Sequence, residues 1–302
     1  MKKKIHVFLL AALTVCLAVS PAFATNINMN YGIGAEYAGL PTAFEGKGPV
    51  FQFHQINVGF ANAYLIRLGD IAFMVDCGLN DAKTWPMLED YLHRAGVDHL
   101  DAFFCSHFHA DHVGNIGPLM AEFGSAETPV YGPGEFLIEQ WQPLTNGVYT
   151  QLKPGDEIGF GDIRVCCVGP VGKLADFGWA NKDSLNLVIC YGSRRFMVTG
   201  DYVRGKEVTD NFAELVSGVD VFQFPHHGQK AYCVDPWVVR ILAPAYIVVP
   251  ATASMDCRHH FSQKFGISTI WLDAGSEHIV FLTDGDAMEV HTFVEPGAYA
   301  GI

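Results

Sequence analysis

Apolar positions repeat with a period of two in some stretches of the chain and of three to four in others, and the two rhythms alternate. Residues 52–58 and 63–68 read as strands, followed by the apolar run 71–75, which ends in Asp76-Cys77-Gly78. Trp85, Leu88, Tyr91 and Leu92 then recur at helical spacing over 82–95, and Gly96 supplies a stop. A short buried strand over 100–105 and a helix over 115–123 complete this first set. The second half repeats the alternation. Strands are predicted over 163–168, 184–191, 195–199, 219–224 and 246–249, with helices over 205–216 and 236–242. A hairpin joins 279–283 to 287–292 across the turn signal Asp284-Gly285. Buried strands alternating with helices imply sheets covered by helices. Two such sets in succession predict an α/β fold of two sheets face to face with helices outside, one domain over residues 51–293. Residues 25–50 form a lead-in, Gly-rich from Tyr31 to Gly48, and 294–302 a short tail.

The first 24 residues follow different rules. Lys2, Lys3 and Lys4 precede an almost wholly apolar run from Val7 to Val19, and Ala22-Phe23-Ala24 places small residues where a signal peptidase reads them. A membrane anchor is disfavoured, because the run falls short of the ~20 apolar residues that span a bilayer. No later segment could span one. The expectation is export through a cleavable signal peptide, with a secreted or periplasmic mature chain starting near Thr25.

Half of the 302 residues are hydrophobic, enough for a sizeable core, and no low-complexity signature interrupts them. The formal charge is −13. Removal of the three leader lysines would bring it to about −16, which disfavours strong nucleic-acid binding. A small-molecule or cell-wall-derived substrate remains open, since cations in a pocket can dominate its field. Seven of the eight cysteines would survive cleavage: Cys77, Cys105, Cys166, Cys167, Cys190, Cys233 and Cys257. An odd number argues against a complete disulfide framework, and Cys166, Cys167 and Cys190 lie in apolar, strand-like runs.

The segment Cys105-Ser106-His107-Phe108-His109-Ala110-Asp111-His112 carries the chemistry. It leaves a buried strand, so His107 and His109 point the same way at period two. Asp111 and His112 follow where the chain turns into a helix and can face the same cavity. Imidazoles and a carboxylate suit zinc and similar divalent ions. Asp201 ends the apolar run of Val198-Thr199-Gly200, where it could be a ligand or a simple turn cap.

This pattern resembles the metallo-β-lactamase superfamily, and in particular the branch with the hydrolase domain of the competence DNA-uptake channel and the phosphorylcholine esterases. The resemblance spans about residues 51–293 and implies an αβ/βα four-layer sandwich. It implies that Asp76 orients the ligand loop, that His107 and His109 bind one metal, and that Asp111 and His112 bind a second. Asp201 would join the two, giving Asp111 and Asp201 the catalytic carboxylate roles. Phe224-Pro225-His226-His227-Gly228 matches the late histidine motif, with His227 favoured over His226 as ligand. Asn181 and Ser184 match an Asn-x-x-Ser segment of that branch. Many members carry a further histidine ligand between the first cluster and the bridging Asp, but here no histidine lies between His112 and Asp201. His259 or His260 could supply that ligand, with His260 the candidate named for it. Trp179, just before Asn181, is a candidate wall of the substrate pocket.

The implied cofactors are two divalent ions, zinc first, with manganese or iron as alternatives. Two ions ~3.5–4 Å apart can share a water, lower its pKa towards ~7 and hold the resulting hydroxide for attack. The expected activity is a secreted metal-dependent hydrolase of phosphoesters or phosphodiesters. Hydrolysis of a β-lactam or lactone ring is the alternative, and a non-catalytic metal-binding protein a third.

Overall fold

The computed structural model describes residues 27–30, 44, 48–134, 148–176, 178, 180–203, 205–228, 234–250, 261, 270–273 and 278–293. The first half holds β1 (Ile27–Asn30), β2 (Phe51–Gln55), β3 (Ala63–Leu68), β4 (Ile71–Cys77), α1 (Thr84–Arg94) and β5 (Ala102–Phe104). It continues with α2 (Ala110–Val113), α3 (Ile116–Glu122), β6 (Pro129–Gly132), β7 (Val148–Gln151) and β8 (Glu157–Phe160). The second half holds β9 (Ile163–Gly169), β10 (Asn186–Tyr191), β11 (Arg194–Val198), α4 (Gly205–Val216) and β12 (Val221–Gln223). It ends with α5 (Pro236–Leu242), β13 (Tyr246–Val249), β14 (Ile270–Asp273), β15 (His278–Thr283) and β16 (Met288–Phe293).

The strands form two sheets. One runs β1-β16-β15-β2-β3-β4-β5-β6-β7, and the other β14-β13-β12-β11-β10-β9-β8. Alternation along the strands explains why they stack. Tyr64, Ile66 and Leu68 of β3 and Phe73 and Val75 of β4 join a core shared with Val165 and Cys167 of β9 and Leu187 and Ile189 of β10. The intervening residues turn the other way. Leu65 and Met74 pack beneath Leu88, Tyr91 and Leu92 of α1 and Leu119 and Met120 of α3. On the second sheet Cys166, Val168, Val188 and Cys190 pack with Val208 and Val216 of α4 and Val238, Val239 and Leu242 of α5. Strands covered on both faces need apolar residues at nearly every position, and β10 is buried from Asn186 to Cys190. The result is helix, sheet, sheet, helix: an α/β four-layer sandwich.

Several element ends differ from the sequence reading for local reasons. β2 stops at Gln55 rather than 58, because Asn57 accepts a hydrogen bond from Gly59 N at 3.0 Å and turns the chain. β10 starts at Asn186 rather than 184, because residues 181–183 form a 3-10 turn closed by Ser184 Oγ donating to Asn181 O at 2.7 Å. The hairpin after β15 has four loop residues, with Asp284 Oδ1 accepting from Asp286 N and Ala287 N at 3.0 and 2.9 Å. The lead-in contributes to the fold, since β1 pairs in parallel with β16 and Phe44 is buried in the core beneath α1. Among the described residues no helix is long and apolar enough to cross a membrane. The leader at 1–24 lies outside the described residues.

Candidate metal centre

The candidate residues gather at the carboxyl ends of parallel strands, where open α/β sheets place their ligand sites. β4 and β5 run parallel in the first sheet, as do β11 and β12 in the second. Asp76, near the end of β4, is held at φ 56°, a conformation that side chains rarely adopt. Its carboxylate compensates through three contacts. Oδ1 accepts from Ser106 N, and Oδ2 accepts from Ser106 Oγ and from His112 Nδ1, each at 2.7 Å. A proton fixed on His112 Nδ1 leaves Nε2 as the coordinating atom. Asn62 supports the same corner. Its backbone N donates to Asp111 O at 3.1 Å, and its amide lies 3.5 Å from His112 Nδ1.

Two groups of ligand-type atoms result. His107, His109 and Asp201 bring theirs within 4.8 Å of one another, and so do Asp111, His112 and His227. Asp201 stands between them. Its Oδ2 is 3.7 Å from His107 Nε2, while its Oδ1 is 3.1 Å from His112 Nε2 and 3.6 Å from His227 Nε2. His227 Nε2 also donates to Asp111 Oδ2 at 3.0 Å.

The residues fit a pair of cations on electrostatic grounds. His107 Nε2, His112 Nε2 and Asp201 Oδ1 are buried without a well-formed hydrogen bond, the 3.1 Å approach of His112 Nε2 to Asp201 Oδ1 being an ion-pair contact. A buried polar atom left unpaired costs about 1–3 kcal/mol, so three in one spot are a deficit that a cation would remove. Burial pushes His107 well down, and the neighbouring His112 adds to this. Burial opposes charge on His112 as well, but Asp201 and Asp76 outweigh it and raise that imidazole. Burial likewise opposes ionisation of Asp111, yet the hydrogen bond from His227 and the charges of His112 and His227 bring it down to about 2. Asp201 falls further, with His112 its main partner against burial. Both carboxylates are therefore ionised and ready to bind a cation.

Around this centre lies a rigid polar frame. Gln223, at the end of β12, accepts from Thr199 N at 2.7 Å and donates to Gly200 O and Phe224 O at 2.8 and 2.7 Å. One side chain thus ties the turn bearing Asp201 to the segment bearing His226 and His227. Gly200 itself has φ 56°, and a Cβ there would sit 2.7 Å from Ser106 Oγ, so the two halves of the site meet without room for a methyl. Ser184 Oγ accepts from Asp201 N at 3.1 Å. Asn181 Nδ2 donates to His226 Nε2 at 3.3 Å, and that same nitrogen is 3.7 Å from Asp201 Oδ2. Buried Asp183 accepts from the backbone N–H groups of Ala175, Asp176 and Gly178 and so shapes the adjoining loop. Phe60, half exposed, packs on His227 with ring centroids 4.7 Å apart.

The structure thus brings together His107, His109, Asp111, His112, Asp201 and His227, with Asp76, Asn181 and Ser184 in contact around them. His226 sits beside the centre rather than in either group. His259, His260 and Trp179 lie outside the described residues. At the strand end preceding Pro170, Gly169 leaves no space for a side chain, because a Cβ would be 2.6 Å from Asn186 Oδ1. Gln223, Asn186, Asp183 and Asn62 were not singled out by the sequence. The one signal was a polar residue closing an otherwise apolar run, as Gln223 does after Val221-Phe222.

Comparison with known proteins adds the family. The family model of the metallo-beta-lactamase superfamily matches residues 56–251. The probable metallo-hydrolase YhfI of Bacillus subtilis is 31% identical over 123 residues, covering 38% of this chain and 42% of that protein. Ribonuclease Z of Picosynechococcus is 27% identical over 184 residues, covering 54% of this chain and 56% of that one. The chain therefore spans about half the length of these curated relatives. The crystal structure of YhfI superposes with a TM-score of 0.56 at 19% identity, covering 78% of this chain and all of that one. A diphosphatase of the PhnP family superposes with a TM-score of 0.51 at 13% identity, over 78% and 98% of the two chains. These structural likenesses speak for the fold alone.

Proposed function

The chain belongs to the metallo-β-lactamase superfamily, and from that premise we propose that it is a metal-dependent hydrolase of phosphoesters, with phosphodiesters its main substrates. The observation that carries this reading is Asp201, whose two carboxylate oxygens face different histidine groups across a buried centre. Two divalent ions held there would polarise the scissile phosphoryl oxygens and lower the pKa of water for in-line attack. The chain's own residues set the geometry. Asp76 and Ser106 hold His112 in one orientation, and Gln223 fixes the approach of Asp201 and His227. Asn181 and His226 lie beside Asp201 and are partly open to solvent, and the Asn181 amide can donate a hydrogen bond to a bound phosphate. The phosphoester class is favoured by the resemblance to a protein named ribonuclease Z. It is favoured also by the lack of a histidine between His112 and Asp201, a ligand a true β-lactamase would be expected to carry. We further propose zinc as the resident metal and export of the chain by its leader.

The test is a metal analysis of purified protein followed by turnover of a phosphodiester, a phosphomonoester, a β-lactam and a lactone. Two ions per chain and phosphodiester turnover that disappears with a chelator are expected. His109→Ala and Asp201→Asn should each lower that turnover by at least ~100-fold, the scale of losing one transition-state contact. Less than one ion per chain would sink the two-ion reading, and turnover of the β-lactam alone would overturn the substrate class.

A further inference from the structure

Outside the candidate metal centre, β9 and β10 place two cysteines side by side. In their antiparallel register Cys166 lies opposite Val188 and Cys190 opposite Arg164, so the cysteines are diagonal neighbours. Both point to the face covered by α4 and α5. Their partners at 165, 167, 187 and 189 face the opposite way, into the core between the sheets. β9 is next to the edge strand β8, and the pair is 7% and 6% exposed, where Cys77 and Cys105 are at most 1%. Cys166 Sγ also lies 3.5 Å from Glu157 Oε2 of β8.

We propose that Cys166 and Cys190 form a reversible dithiol–disulfide site, with Cys190 as the attacking thiolate and Cys166 as the resolving thiol. The surroundings divide the two roles. A hydrogen bond from Cys166, with the nearby Arg164 and Arg195, holds the Cys190 thiol below its ordinary value against burial. The same contact and burial push Cys166 up. Burial raises Cys77 and Cys105 well above theirs, and moves Cys167 up to about 12, so these thiols stay protonated. Thiolate character decides which cysteine reacts.

The co-reactant is a low-molecular-weight disulfide. The Cys190 thiolate attacks one of its sulfurs, the S–S bond breaks, and a small thiolate leaves. Cys166 then loses its proton to solvent, with Glu157 beside it, and attacks Sγ of the mixed disulfide. A second small thiolate departs, so two thiols are oxidised, one external disulfide is reduced, and the two departing thiolates take up the protons that the cysteines lost. Diagonal neighbours in a sheet have Cα atoms about 7–8 Å apart, beyond the ~4.4–6.8 Å of relaxed disulfides. Closing the bond therefore pulls β9 and β10 together, and a strained disulfide is easily reduced. This makes the bridge a reversible element rather than a permanent staple. It does not depend on the hydrolase reading.

The experiment incubates the purified full chain in oxidised and reduced glutathione at graded ratios, traps free thiols with an alkylating reagent, and reads intact mass and peptide map. Under oxidised glutathione the chain should lose two hydrogens, with the link mapped to Cys166 and Cys190, and excess reduced glutathione should reverse it. Cys166→Ser should stop at glutathione on Cys190, and Cys190→Ser should react several-fold more slowly than the natural chain. Both thiols remaining open to alkylation at every ratio would overturn the proposal. So would a link through Cys233 and Cys257 alone, a bridge that survives excess reduced glutathione, or Cys190→Ser reacting as fast as the natural chain.

Discussion

Asp76 shows how much one residue can carry without touching a metal. Its backbone sits in the left-handed region, and its carboxylate takes three hydrogen bonds of 2.7 Å that bind the ligand loop to β4. Asp76→Asn keeps the shape but replaces an acceptor oxygen with an amide, so His112 loses its orienting partner. Metal affinity should fall about 10–100-fold, as for other outer partners of ligating histidines, and competition against a chromophoric chelator would read it. An unchanged affinity would show that Ser106 alone positions the loop. Aspartate after an apolar strand was legible in the sequence, whereas Ser106 and Asn62 took on a role only once their partners 30 and 50 positions away came within reach.

At the scale of elements, the site is assembled where the two sheets are locked together. Gln223 is the clearest case: a polar residue buried at the end of a three-residue strand, with its side-chain hydrogen bonds directed to the turn after β11 and the segment after β12. Gln223→Leu would strand Thr199 N and the carbonyls of Gly200 and Phe224. The expected loss is on the order of 3 kcal/mol of stability, measured by urea unfolding of the metal-free protein, with a fall in metal occupancy beside it. A loss below about 0.5 kcal/mol would place the tie elsewhere. Long buried elements such as β4, α1, β9 and α4 were legible because periodicity over many residues is strong. β7 and β8 were not, since each has four residues alternating exposed with half-buried and lies at a sheet edge. β1 hid in the lead-in because its pairing with β16 joins residues some 260 positions apart.

The whole molecule holds a titratable residue away from the site that should contribute to its acid response. His54 is fully buried in β2, bonded to Tyr91 Oη at 2.8 Å and Gln52 Oε1 at 3.0 Å. Burial, with the charges of Arg67 and His278, lowers it to about 3. The folded protein thus refuses a proton that the unfolded chain accepts near pH 6.5, so stability falls as pH drops from about 6.5 towards 3. Between pH 6.5 and 4.5, unfolding free energies should drop roughly 2 kcal/mol more for the natural chain than for His54→Gln. Parallel pH dependence in the two would assign the response to other groups. The sequence by itself determined the layered α/β class and the cluster from His107 to His112, because alternation and close spacing are local properties of a chain. Only the tertiary structure decided that Asp201 stands between two groups of histidines, that His227 rather than His226 lies within reach of Asp111 and His112, and that Cys166 is the diagonal neighbour of Cys190. Those facts depend on strand order and register, which bring together residues that nothing in the local pattern connects.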